Sequence, residues 1–161
     1  MTTAPREPEP SDLIRAYLCP GQLFASAEPT EVTTIVASCV AVCLSDTATG
    51  VGGVCHFQLP RWLGTGARTP SYADVAIQEL LDRMAALDAR PGTIEAKLFG
   101  GACLTPQVQR LHKPLGDENV EQAIAYLREC SIPVCESATG GWRGRKVVFH
   151  TGDGHARVKV L

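Results

Sequence analysis

The stretch that most restricts the fold of this chain runs from Val32 to Pro60. β-branched and apolar residues fill Thr33–Val36, Cys39–Leu44 and Gly53–Leu59. Between the last two lies Ser45-Asp-Thr-Ala-Thr-Gly50. Asp and Thr side chains bond to nearby backbone, and Gly accepts left-handed backbone, so this hexapeptide supplies the chemistry of a reversal. The two runs on either side are expected to form a β-hairpin. If Ser45 and Gly50 close a four-residue loop, Cys39 stands opposite His56. Directly opposed residues share one face of a sheet with Cβ atoms about 4.5–5.5 Å apart. A register slip of one residue would send the two side chains to opposite faces.

Other segments read as strands or helices by period. Ile94–Phe99, Ile132–Cys135, Lys146–His150 and Ala156–Val160 are strand-like, and the last alternates Val158 and Val160 with Arg157 and Lys159. Tyr72–Asp88 carries Ala76, Leu80, Met84 and Leu87 on one helical stripe. Ser71 and Asp74 have the spacing of a capping box at its start. A second helix is expected at about Glu118–Glu129, with Val120, Ile124 and Leu127 on its apolar side. Strands that occur both in succession and between helices indicate an α/β domain with a mixed β-sheet and two main helices. The chain of 161 residues suits one domain. Residues 1–14, rich in Pro and Glu, read as a flexible N-terminal arm, and 15–161 as the domain.

Composition excludes several functions. Fifteen Lys and Arg against seventeen Asp and Glu leave a formal charge of −2, so no strong field draws nucleic acid or an anionic membrane. No apolar run approaches a bilayer span, so no membrane insertion is expected. The N-terminus has no signal-peptide pattern, which places the chain in the cytoplasm. Seven cysteines, an odd number with no CxxC, argue against a disulfide framework. Cys43, Cys55, Cys103, Cys130 and Cys135 read as core residues. A metal site from Cys39, Cys43, Cys55 and His56 does not match the usual zinc spacings, and no metal or organic cofactor is expected. His112, His150 and His155 read as surface or loop residues. From Gly141 onward Arg143, Arg145, Lys146, Arg157 and Lys159 face one acid, Asp153. This is either a solvated face or an aid to docking an acidic partner.

The Cys39–His56 pair has two readings. In one, both are structural, a core cysteine and a hydrogen-bonded histidine. In the other they form a catalytic dyad: the imidazole takes the thiol proton, sulfur attacks a carbonyl carbon, and the imidazolium protonates an amine leaving group. A third group then orients the histidine, and Thr33 and Thr34 are the candidates. Such a dyad would make Cys39 the fastest of the seven thiols to alkylate. Backbone N–H groups around Ser38 and Cys39 are candidate oxyanion donors, and Gly53 is a candidate for close substrate approach.

Val32-Thr-Thr-Ile-Val-Ala-Ser-Cys-Val-Ala-Val-Cys-Leu44 and Val51-Gly-Gly-Val-Cys-His-Phe-Gln-Leu-Pro60 resemble the signature of the CheD family of chemoreceptor glutamine deamidases. Tyr72–Leu81, Ala96-Lys-Leu-Phe-Gly-Gly-Ala102, Leu115-Gly-Asp-Glu-Asn-Val120 and Gly140–Phe149 extend the likeness, as does Tyr17-Leu-Cys-Pro-Gly21 at the domain's start. The resemblance implies a single domain similar to the catalytic domain of cytotoxic necrotizing factor toxins. It implies a Cys-His-Thr triad, with the Thr six residues before the Cys: Cys39, His56 and Thr33. It implies hydrolysis of glutamine side chains on methyl-accepting chemotaxis receptors, and a CheC-like phosphatase as a further partner. The alternatives are an adaptor role with weak or no catalysis, or another thiol acyl transfer. Ala37 stands where the family usually has Gly, a change that would disturb the site if the position required positive φ.

Overall fold

A computed structural model describes residues 13–105, 107 and 112–161. The chain runs β1 (Ile14–Leu18), β2 (Leu23–Ser26), β3 (Thr30–Val36), β4 (Val40–Asp46), β5 (Gly52–Phe57), α1 (Ala73–Ala86), β6 (Ile94–Gly100), α2 (Leu115–Glu129), β7 (Val134–Thr139), β8 (Arg145–His150) and β9 (Ala156–Val160). A 3-10 turn at Pro91–Thr93 precedes β6. Most of the expected arm, residues 1–12, lies outside the described residues. Ile14 already belongs to β1.

The strands form two sheets, one in the order β1-β3-β8-β9 and one in the order β2-β5-β4-β6-β7. Pairing is antiparallel except for β1 with β3 and β6 with β7, so both sheets are mixed. Leu18, Val32, Val36, Ala41, Cys43, Val54, Phe99, Val147 and Phe149 fill the space between the sheets. The helices cover the other face of the five-stranded sheet, where Leu80 and Met84 of α1 and Ala123 and Leu127 of α2 meet Val42, Leu44, Phe57 and Leu98. β4 and β5 are therefore buried on both faces, which is why they read as continuous apolar runs. The mixed α/β architecture with two helices agrees with the sequence reading.

The hairpin register differs from the expected one. Asp46 N–H donates to Val51 O at 2.8 Å, so the loop is Thr47–Gly50, one residue further along each strand. Val40 pairs with Phe57 and Ala41 with His56. The Asp46 carboxylate explains the choice. It accepts bonds from Ala48 N at 2.9 Å, Thr49 Oγ1 at 2.6 Å and Arg90 N at 2.7 Å, and a further one from Thr93 Oγ1. Burial acts to raise its pKa, but the Arg90 amide, the two hydroxyls and the Ala48 amide outweigh burial and hold it well below the carboxylate range.

Several local expectations are corrected. Tyr72 caps α1 without a side-chain bond, and Asp74 Oδ1 instead accepts from Trp62 N at 3.1 Å. The buried face of α2 is Gly116, Asn119, Ala123 and Leu127, while Ile124 is exposed. Cys43, Cys55 and Cys103 are buried. Cys130, at the end of α2, and Cys135, on the edge strand β7, are exposed and are not core residues.

Candidate active site

The two-residue period of β3 decides which threonine meets the histidine. Thr30, Val32, Thr34 and Val36 are buried against the second sheet, while Glu31, Thr33 and Ile35 face the other way. Thr34 Oγ1 lies 2.7 Å from His56 Nδ1. Thr33, between Tyr17 and Val148 on the outer face of its sheet, does not reach the ring. The resemblance pointed to Thr33; in the structure it is Thr34 that meets the imidazole.

The proton count fixes the ring's tautomer. Thr34 Oγ1 also donates to Leu18 O at 2.9 Å. A hydroxyl has one proton and a carbonyl can only accept, so Thr34 gives its proton to Leu18. His56 Nδ1–H then donates to Thr34, and Nε2 carries the lone pair. That assignment follows from the network and satisfies all three groups. His56 is 1% exposed, and Nε2 has no hydrogen-bond partner among the described residues. Burial pushes the imidazole pKa down to about 4, so the ring is neutral at pH 7.

Cys39 sits just before β4, not opposite His56. His56 pairs with Ala41, two residues further along β4. A shift of two preserves the face, so Cys39 packs into the inter-sheet layer with Ala41 and Cys43. It is close to the diagonal position across from His56, where separations are about 7–8 Å and a ring can span the gap. Desolvation raises the thiol pKa, and the residue's own amide, bonded to the sulfur, offsets only part of that. The resting pair is a neutral thiol beside a neutral imidazole. Burial therefore works against a preformed thiolate at Cys39.

The three carbonyls around Cys39 all accept hydrogen bonds. Ala102 N donates to Ala37 O at 2.7 Å, Asn119 Nδ2 to Ser38 O at 3.0 Å and Gly101 N to Cys39 O at 2.9 Å. In a planar trans peptide the following N–H points opposite to its C=O. The N–H groups of Ser38 and Cys39 therefore face away from Ala102 and Asn119. A groove of about 220 Å³ opens beside Ser38, lined by Ala102, Cys103, Leu104, Pro114 and Leu115.

Gly53 is not brought to this site. It is buried in β5 on the helix side, where a Cβ would strike Phe24 O at 2.5 Å and Leu80 Cδ1 at 2.6 Å. Its smallness serves packing. Ala37 is not among the residues with positive φ, so the alanine fits without strain. Among the described residues no group of three or more His, Cys, Asp or Glu is placed to hold a metal ion. Cys43 and Cys55 lie on opposite faces of one sheet. Of the basic C-terminal residues, Arg145 Nη1 donates to Gly100 O at 3.3 Å, and Arg157 lies 3.9 Å from Glu31. No helix among the described residues is long and apolar enough to cross a membrane. Sequence reasoning placed Asn119 only within a helix-opening motif; its burial is visible only once Ala123 and Leu127 set the helix phase.

The fold is a two-sheet α/β domain with a Cys and a hydroxyl-supported His in its interlayer space. Residues 59–160 match the family model described as CheD chemotactic sensory transduction. A protein of Trichlorobacter lovleyi, named probable chemoreceptor glutamine deamidase CheD, is 41% identical over 145 residues, covering 90% of this chain and 89% of that one. One of Anaeromyxobacter dehalogenans, named probable chemoreceptor glutamine deamidase CheD 1, is 42% identical over 147 residues, covering 91% and 85%. This chain belongs to the CheD family. A crystal structure of the Bacillus licheniformis hypothetical protein YfiH superposes with a TM-score of 0.48 over 74% of this chain and 51% of that one, at 15% identity.

Proposed function

We propose that the protein is a chemoreceptor glutamine deamidase in which Cys39 is the nucleophile, His56 the acid–base and Thr34 the residue that orients His56. The observation that carries this reading is the Thr34–His56 bond, which leaves Nε2 as a free base on the face that holds Cys39. Membership of the CheD family supports the substrate class.

Sγ attacks the glutamine carboxamide carbon as its proton passes to Nε2. The carbonyl oxygen becomes an oxyanion facing the Ser38 and Cys39 N–H groups. The C–N bond breaks as Nε2–H protonates the departing nitrogen, which leaves as ammonia. A thioester remains. Nε2 then takes a proton from water, the hydroxide attacks the thioester, and the C–S bond breaks. The sulfur recovers its proton from Nε2, leaving glutamate and the free thiol.

The energetics require substrate. Burial holds the imidazole pKa at about 4 and raises that of the thiol, so both act against charge separation in the free protein and attack is coupled to proton transfer. No metal or organic cofactor enters the scheme. A CheC-like phosphatase is a further partner by resemblance, and co-purification with such a protein from the native cell tests that.

The test of the deamidase is mass spectrometry of a glutamine-bearing chemoreceptor cytoplasmic fragment incubated with wild type and with Cys39→Ala. Conversion of particular glutamines to glutamate by wild type alone is expected. Equal conversion by Cys39→Ala would overturn the reading.

A further inference from the structure

One buried polar side chain near the site is unexplained by the triad. Asn119 lies in the second turn of α2 with no solvent exposure. Its Nδ2 donates to Ser38 O and to Gln58 O, both at 3.0 Å. Two carbonyl partners can be served only by the nitrogen, so the orientation of the amide is settled. Its Oδ1 has no partner among the described residues. A buried acceptor left without a donor is destabilising, and an apolar residue would avoid that penalty. The two donors are what the position retains Asn for.

What those donors join is specific. Ser38 precedes the nucleophile, and Gln58 follows the base by two residues. The β4–β5 ladder ends with Val40 paired to Phe57, so no strand bond connects the two segments beyond that point. Asn119 supplies the connection from a different element. Because the Ser38 carbonyl and the Cys39 N–H belong to one planar peptide, gripping the first aims the second.

We propose that Asn119 is a positioning residue for the reaction: its side-chain amide holds the Ser38 and Gln58 carbonyls, aiming the Cys39 N–H at the developing oxyanion and fixing the spacing of Cys39 and His56. The proposal rests on the deamidase reading above. It separates Asn119 from a purely structural residue, which would change the amount of folded protein but not the turnover of each folded molecule.

The experiment uses the full chain with Asn119→Ala and Asn119→Asp, the latter keeping size but replacing both donors by acceptors. Folded fraction, kcat and KM on the receptor fragment are measured, and His56 is titrated by NMR. The expected result is a fall in kcat of at least tenfold per folded molecule for Asn119→Ala and a larger fall for Asn119→Asp, with KM within twofold. The His56 titration midpoint should rise as water reaches a loosened ring. Wild-type kcat in either folded variant, a change confined to KM, or failure of both to fold would overturn the proposal. If wild type itself makes no glutamate, the deamidase reading fails. The His56 titration then still tests the positioning, and an unchanged midpoint in Asn119→Ala would refute it.

Discussion

Replacing Thr34 by Val removes one hydroxyl and keeps the side chain's shape. Two buried groups lose their partner: the His56 Nδ1–H, bonded at 2.7 Å, and the Leu18 carbonyl, bonded at 2.9 Å. An unsatisfied buried donor or acceptor costs about 1–3 kcal/mol. The stability loss is therefore about 2–6 kcal/mol, easily seen as a shift of the urea midpoint. Turnover suffers separately, because nothing then holds the proton on Nδ1, and the Nε2–H tautomer has no lone pair at Nε2 for Cys39. A tautomer preference weakened by about 1.4–3 kcal/mol lowers kcat by about 10- to 100-fold. Thr33→Val, on the outer face of the sheet, should stay within about 0.5 kcal/mol and within twofold in kcat. Glutamate formation on a receptor fragment, normalised to folded protein, reads both variants. Loss of activity in Thr33→Val with activity spared in Thr34→Val would refute the assignment of Thr34.

Acid should destabilise the protein through His56. Its folded pKa of about 4 lies below the unfolded value of about 6.5, so the unfolded state binds the extra proton between them and stability falls as pH drops through that window. The loss is about 3 kcal/mol by pH 4. His56→Gln should lack that component, so its urea midpoint should change less than wild type's between pH 7 and pH 4.5. Asp46→Ala removes the acceptor of four hydrogen bonds at the β4–β5 turn and should cost about 3 kcal/mol or more, measured by thermal unfolding. Iodoacetamide at pH 7 should label exposed Cys19 before half-buried Cys39, whose thiol pKa is raised; peptide mapping showing Cys39 modified first would contradict a neutral resting pair.

Helix α1 was legible because Ala76, Leu80 and Met84 recur at helical spacing and all are buried. Helix α2 was legible as a helix but not in phase: Asn119 is buried by its two carbonyl partners, a fact that hydrophobicity does not encode. Strands β1 and β2 were missed because neither shows an alternating apolar face. β1 is mostly exposed, and β2 is half-buried throughout. Cys39 and His56 were expected to face each other directly, but the register is two residues off, since a loop rich in turn-formers offers several closures and the Asp46 bonds to residues near 90 choose among them. Thr34 had a readable signal: it shares two-residue phase with Val32 and Val36, whereas Thr33 shares it with Glu31.

The wall behind Cys39 is mostly tightly packed backbone. Gly100 has φ +114°, and a Cβ there would collide with the Cys39 carbonyl oxygen. A Cβ on Gly116 would come within 2.5 Å of Gly101 O. Substitution at these positions has no room to be tolerated, so this side of the groove cannot vary. Variation around the groove is left to side chains such as Leu104 and Leu115, which line it beside Ser38 and Gly116 yet stand in solvent and can be exchanged without disturbing the loop that carries the thiol.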